Sequence, residues 1–310
     1  MKSNFFELNS IIYKKQGTKK QTYQDRMNSK TFDDGISIVA LADGLGSKSK
    51  SDIGAEIAVE TAIETLHEVF ANRNTDNPDK SLAEDVKISL LDNIRNQILL
   101  EAITADTNKV DINKLKEYSC TLLFTVMKDN KMFLGQMGDG YIVTKRKDGS
   151  LKLVFSPKND NTEYANGTET IFSSSKCMRL ACGNREDFEY IFLSSDGTDK
   201  MIRGDWRGEY TPFITGKNHG RMPNVKLFEY METLLKESKT GSVTPKMYSD
   251  WLTNDIASML IDNRVDDDVT FAFVNTNIKG PTLKVTDMVE AIRQEKMKNS
   301  SKAKENELQK

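Results

Sequence analysis

Histidine is almost missing from this chain, with two residues in 310, and cysteine is scarce, with three. Cys120, Cys177 and Cys182 are an odd number and contain no Cys-x-x-Cys pair, which argues against a disulfide framework and against a zinc site. They read as reduced thiols in a cytoplasmic protein. Charge of one sign is also lacking: the net charge of −2 gives no electrostatic case for nucleic acid or for a membrane surface. No run approaches the roughly 20 apolar residues of a membrane span. The start, MKSNFFELNS, has no apolar signal-peptide core. Hydrophobic residues make up 37% of the chain, enough for a real core.

What the chain does have is aspartate at the ends of apolar runs. Ile36 to Ala42 is a buried-looking strand that stops at Asp43-Gly44, before a polar loop and a helix opening on Gly54 and Ala55. Lys131 to Met137 leads into Gly138-Asp139-Gly140, and Tyr190 to Ser195 into Asp196-Gly197. Asp266-Asp267-Asp268 precedes the run Val269 to Val274. One Asp-Gly is an ordinary turn. Four strands that each begin or end on an acid point instead to carboxylates converging at one edge, where they would repel and raise one another's pKa. An all-oxygen set with almost no histidine selects a hard cation, Mg²⁺ or Mn²⁺.

Between these points the periodicity alternates. Phe5 to Tyr13 reads as a first strand and Lys14 to Lys20 as a basic connection. Ala55, Val59, Ala62, Leu66 and Val69 recur at helical spacing, with His67 on the surface side. Ser81 with Glu84 reads as a capping box for a second helix striped by Leu82, Val86, Leu91, Ile94 and Ile98. Tyr118 to Met127 and Lys131 to Gln136 form a hairpin at Asp129-Asn130; Tyr141 to Arg146 and Leu151 to Phe155 form another at Asp148-Gly149. Consecutive hairpins predict antiparallel sheet. Residues 156–166 read as a surface loop, and 199–243 are weakly patterned, with Trp206 and Arg207 in a glycine-rich stretch. Thr244-Pro245 opens a helix carrying Trp251, Leu252 and Ile256. Residues 1–276 are expected to form one domain and 277–310 a charged tail with a short helix.

The order of Tyr23-Gln24-Asp25, Ala42-Asp43-Gly44-Leu45-Gly46, Gly138-Asp139-Gly140-Tyr141, Ser195-Asp196-Gly197 and Asp267-Asp268-Val269-Thr270 resembles the metal-dependent protein phosphatases, the type 2C serine/threonine phosphatases. Glu163 to Thr168 further resembles their bacterial-type branch. The resemblance implies an α+β fold, a four-layer α-β-β-α sandwich of two antiparallel sheets packed face to face and flanked by helices. It implies two Mn²⁺ or Mg²⁺ ions held by Asp43, Asp196, Asp267 and the Gly44 carbonyl, with Asp139 a further ligand and Asp25 in the second shell. A hydroxide bridging the ions would hydrolyse phosphoserine or phosphothreonine, and Lys20 would hold the substrate phosphate where relatives have arginine. The same Lys20 also fits a solvated basic loop. The expected partner is a phosphorylated protein, a serine/threonine kinase or its target.

Three departures stand out. Gly140-Tyr141 replaces Ser-Arg after Asp139, and Asp199 comes one residue early, which leaves a third ion open. Leu45 stands where some relatives carry a histidine, so leaving-group protonation would fall to a metal-bound water. The alternatives are a catalytically weak phosphoprotein-binding module of the same fold, or a hydrolase of a small phosphate ester.

Overall fold

The structure, a computed structural model, describes residues 8–15, 22–75, 78, 80–105, 112–155, 167–198, 228–229, 231–233, 267–279 and 282–284. In chain order its strands are β1 (Leu8–Lys15), β2 (Asp25–Thr31), β3 (Ser37–Asp43), β4 (Leu122–Lys128), β5 (Lys131–Met137), β6 (Tyr141–Arg146), β7 (Leu151–Leu153), β8 (Arg179–Asn184), β9 (Phe188–Ser194), β10 (Val269–Lys279) and β11 (Thr282–Lys284). The helices are α1 (Ser51–Ala71), α2 (Lys80–Ala105) and the single turn α3 (Ile112–Leu115). One sheet has the order β2-β3-β4-β5-β8 and the other β11-β1-β10-β9-β6-β7. All pairings are antiparallel except β11 with β1.

The apolar run of β3 is continuous because both faces are covered. Ile38, Ala40 and Ala42 pack under α1 and α2, while Val39 and Leu41 face the other sheet. A strand buried on both faces has no reason to alternate. Leu123, Leu134, Ile142, Ile191, Leu193, Ala272 and Val274 complete the layer between the sheets. On the helical side the stripe Ala55, Val59, Ala62, Leu66 and Phe70 is buried against Val86, Leu90, Ile94 and Ile98. Each large aliphatic side chain buried there contributes about 1.5–3 kcal/mol; truncating Leu66 to alanine would cost roughly 2–5 kcal/mol. On the far face of the six-stranded sheet, Phe228 lies 5.6 Å from Phe192 and 5.5 Å from Phe273, ring centre to ring centre, and Met231 is buried beside it. Helix, sheet, sheet and helical residues therefore stack in the expected four-layer order.

Both predicted hairpins form. Lys128 pairs with Lys131 around Asp129, at φ +51°, and Lys145 pairs with Leu151 around Gly149, at φ +83°. Other boundaries differ. β1 runs on to Lys15 rather than ending at Tyr13. β4 starts at Leu122, because residues 116–118 form a 3₁₀ turn. β7 ends at Leu153 rather than Phe155. Helix α2 already runs at Lys80, so Ser81 is a helical residue and cannot be its N-cap, which requires non-helical backbone. The polar edge strands β2 and β8 carry no clear strand signal in sequence. β10 and β11 carry the sheet past residue 276. The predicted loop at 156–166, the helix after Thr244, Trp206, Arg207 and the tail from 286 lie outside the described residues.

Candidate metal centre

The antiparallel register brings the acidic strand ends together. β2 begins at Asp25 and β3 ends at Asp43, and these two are Cα partners across the ladder. In the other sheet β9 ends at Ser194, with Asp196 opening a 3₁₀ turn, and its neighbour β10 begins just after Asp267 and Asp268. Asp139 lies where the chain leaves β5 in one sheet and enters β6 in the other. The result is a cavity of about 110 Å³ at the seam between the sheets, lined by Asp43, Gly44, Asp139, Asp196 and Asp267. Asp25 lies behind it and is fully buried.

The chain is braced at Asp43 and at the Asp139 corner. The Asp43 N–H donates to Thr121 Oγ1 at 3.0 Å, and the Thr121 N–H donates back to the Asp43 carbonyl at 2.8 Å. The Gly44 N–H donates to the Gln24 carbonyl at 3.2 Å; a Cβ on Gly44 would stand 2.7 Å from the Ser51 carbonyl oxygen, so glycine is required. Asp268 does not line the cavity. Its Oδ2 accepts from the Gln24 N–H at 2.6 Å and ties the two sheets together, which leaves Asp267 facing the opening. The Gly138–Gly140 corner, with Gly138 at φ +109°, is clamped by Gln136: its Nε2 donates to the Gly138 carbonyl at 3.1 Å and to the Gly140 carbonyl at 2.7 Å. Arg179 Nη2 adds a bond to the Gly138 carbonyl at 2.7 Å. Thr168 donates to Asp139 Oδ2 at 2.9 Å.

Burial and mutual repulsion dominate the electrostatics. Burial pushes Asp25 up to about 6, against the nearby Ser195 and Thr270 hydroxyls, which hold it lower than burial alone would. Burial, then the charges of Asp139 and Asp267, push Asp196 up to about 7. Asp43 lies well above the usual carboxylate range because of burial and then Asp25, Asp196 and Asp267. Both oxygens of Asp25 and one of Asp196 are buried with no hydrogen bond of ordinary geometry. Uncompensated negative charge of this kind is costly unless a cation offsets it. The side chains do not yet close a cage: among the described residues no three acids, histidines or cysteines stand around one point as a finished coordination sphere. The donor set itself, carboxylates and a carbonyl with unsatisfied oxygens, fits a hard divalent cation.

Leu45 lines the cavity wall and offers no proton donor. Lys20 and Asp199 lie outside the described residues. Sequence reasoning missed Thr121, Gln136, Arg179 and the strut role of Asp268. Only the doubled acid at 267–268 could have signalled one of them.

A family model for Protein phosphatase 2C matches residues 14–238. Among curated proteins none matches the chain by sequence. Similar solved structures include the S. agalactiae serine/threonine phosphatase, at 17% identity over 86% of this chain and 98% of that one, with a TM-score of 0.52. The serine/threonine phosphatase Stp1 from Staphylococcus aureus is similar at 15% identity over 90% and 100%, with a TM-score of 0.50. A C. elegans sex determining protein is similar at 11% identity over 92% and 67%, with a TM-score of 0.55. At such identities these three speak for the fold alone. The family model spans well over half of the chain, in the segment that contributes Asp25, Asp43, Asp139 and Asp196. The chain belongs to the protein phosphatase 2C family.

Proposed function

We propose that the protein is a metal-dependent serine/threonine phosphatase that hydrolyses phosphoserine and phosphothreonine in a protein substrate. The observation that carries this reading is the single cavity where Asp43, Asp139, Asp196 and Asp267 meet with the Gly44 backbone. Asp43, the Gly44 carbonyl, Asp196 and Asp267 would hold two Mn²⁺ or Mg²⁺ ions, with Asp139 as a further ligand. Bound there, the ions would supply a water nucleophile of lowered pKa and draw charge from the phosphoryl oxygens.

The chain's own residues do the rest. The two bonds between Asp43 and Thr121 fix the backbone that carries the Asp43 carboxylate. Asp25, buried behind Asp43, would act from outside the ligand set by orienting the waters of bound ions. Gln136 and Arg179 keep the Asp139 corner in place. Leu45 supplies no acid, so protonation of the leaving alkoxide would fall to a water held in the cavity. Lys20, by its distance from Asp25 in sequence, would steady the outer phosphate oxygens as a point charge. The cysteines play no part: Cys120 is buried with its thiol pushed well up by burial and by Asp43. Cytoplasmic location, and a kinase or its target as substrate, belong to the same proposal.

Incubating the full chain with a phosphothreonine peptide in Mn²⁺, and separately in excess chelator, tests the reading. Phosphate release in the first and none in the second is the expected result. Retention of the intact phosphopeptide in Mn²⁺ without release would favour the binding-module alternative.

A further inference from the structure

The chain that leads into β8 touches the metal centre on two sides before it reaches the strand. Thr168 donates to Asp139 Oδ2 at 2.9 Å, and a Cβ on Gly138 would stand 3.2 Å from the Glu169 carbonyl oxygen. Two residues on, the Ile171 N–H donates to the Cys120 carbonyl at 3.0 Å. Cys120 in turn forms an isolated antiparallel bridge with Gly44, whose carbonyl belongs to the proposed ligand set. A single short stretch thus borders the cavity beside Asp139 and backs it behind Gly44.

Residues 168–173 belong to neither helix nor strand, so no ladder holds them in place. They close a turn of their own: the Ser173 N–H donates to the Thr170 carbonyl at 2.7 Å, and the Thr170 N–H to Ser173 Oγ at 3.0 Å. Those bonds shape the turn without fixing where it sits. Its position is set by one side chain of α2. Arg95 Nε donates to the Ile171 carbonyl at 2.8 Å, and Arg95 Nη2 to the Ser173 carbonyl at 2.6 Å. A guanidinium presents these two donors as one rigid fork, so both oxygens are located together. Leu91, Ile94 and Ile98, around Arg95 on the helix, are buried in the core, which anchors the fork at its base. Asp92 stands 4.0 Å from Nη1 and leaves the Nε–Nη2 edge to the carbonyls.

We propose that Arg95 is a positioning residue of the metal centre. From α2 it fixes residues 168–173 so that Thr168 holds the Asp139 carboxylate toward the cavity and Ile171 supports the bridge that carries Gly44. The inference rests on the metal-dependent phosphatase reading. Groups behind the ligands of a metal commonly change its affinity tenfold to a hundredfold when removed. Arg95 reaches the ligands through a turn of backbone, so its loss should fall near the lower end of that range. Lysine offers a compact charge with no fork and can meet only one carbonyl at a time in fixed geometry. A side chain that merely tied a loop to a helix would contribute stability and leave metal affinity as it was.

The test measures Mn²⁺ binding by calorimetry on the full chain, in the parent protein, Arg95→Ala, Arg95→Lys, Thr168→Val and Arg95→Ala combined with Thr168→Val. Arg95→Ala should weaken Mn²⁺ binding about tenfold, and the Mn²⁺ concentration that gives half-maximal turnover of an aryl phosphate should rise by the same factor. Arg95→Lys should recover part of the loss. Thr168→Val should weaken binding too, and the double variant should lose much less than the product of the two single losses, because both act on one carboxylate. In metal-free protein, the amides of Ile171 and Ser173 should exchange faster in Arg95→Ala, while those of β4 keep their rates. Leu90→Ala, which opens a gap in the buried face of the same helix, should lower the melting temperature and leave Mn²⁺ affinity at the parental value. Should Arg95→Ala not fold, Arg95→Lys alone and with Thr168→Val carries the same comparison. Parental affinity in the Arg95 variants, an equal loss in Leu90→Ala, or fully multiplicative losses in the double variant would overturn the proposal and leave the phosphatase reading standing. No Mn²⁺ binding by the parent protein would overturn both.

Discussion

Asp25 and Asp43 sit opposite one another on adjacent strands, paired in register at the end of the β2–β3 ladder. Two acids at a directly paired position are destabilising in a sheet. Here a third acid, Asp196, adds to the repulsion from the other sheet. The sequence places these residues 18 and 171 positions apart, and only the closing of both sheets brings them together.

That repulsion predicts a pH dependence of stability in the absence of metal. Burial pushes Asp25 and Asp196 up to about 6 and about 7, above the ordinary carboxylate value of 3.8, and raises Asp43 as well. The folded state therefore binds protons more tightly than the unfolded state. Their stabilising contribution is fully present below the unfolded pKa and is lost as pH rises through the folded values. In chelator, the thermal midpoint should fall from about pH 5 to about pH 8, by several degrees for each kcal/mol lost. Asp196→Asn should flatten that slope. Adding Mn²⁺ at the higher pH should restore the midpoint.

The corner at Asp139 should be sensitive to residues that never reach the cavity. Arg179→Ala removes the bond to the Gly138 carbonyl, and metal affinity measured by calorimetry should weaken by about tenfold or more, the usual cost of losing an outer-shell partner. Arg179→Lys keeps one donor and should recover part of the loss. Gln136→Ala takes a donor from the buried Gly140 carbonyl, leaves the Gly138 carbonyl to Arg179, and should cost roughly 1–3 kcal/mol of stability.

Glycine at 54 tests how closely α1 docks. A Cβ there would lie 1.9 Å from the Tyr118 carbonyl oxygen, and backbone cannot swing aside as a side chain can. Gly54→Ala should destabilise the fold by about 3 kcal/mol or more, read as a lower denaturant midpoint. A midpoint within experimental error of the parent protein would show that α1 can slide away from this turn.

Much of the fold was legible because its inner strands are unusual in composition. β3, β5, β9 and β10 are covered on both faces, so they read as apolar runs, and the acids at their ends marked the site. The helix stripes of α1 and α2 were equally plain. β2 and β8 were not. Asp-Arg-Met-Asn-Ser-Lys-Thr and Arg-Leu-Ala-Cys-Gly-Asn are edge strands, where half of the surface faces water and composition gives no period. Ser81 looked like a cap because it precedes an apolar stripe three residues before Glu84, yet the helix had already begun at Lys80. The supports Thr121, Gln136 and Arg179 act through backbone carbonyls and amides, contacts that residue type and spacing do not encode.

Lysines 19 and 20 give a prediction about substrate rather than metal. If Lys20 steadies the outer phosphate oxygens, Lys20→Ala should raise KM with little change in kcat. Lys20→Arg should be tolerated, since guanidinium adds a planar fork that suits phosphate. Because Lys19 is adjacent, the double alanine variant decides the matter: unchanged KM and kcat would mean a solvated basic loop.

The central claim, that Asp43 together with Asp196 and Asp267 holds the cations that drive phosphoester hydrolysis, is tested most directly by titrating Mn²⁺ into the parent protein and Asp43→Asn while measuring turnover of an aryl phosphate. The parent should be inactive in chelator and rise to saturation with Mn²⁺. Asp43→Asn, folded as judged by its circular dichroism, should stay lower by about a thousandfold or more, roughly 4 kcal/mol of barrier. Activity of the parent in excess chelator, or near-parental turnover in Asp43→Asn, would contradict the account.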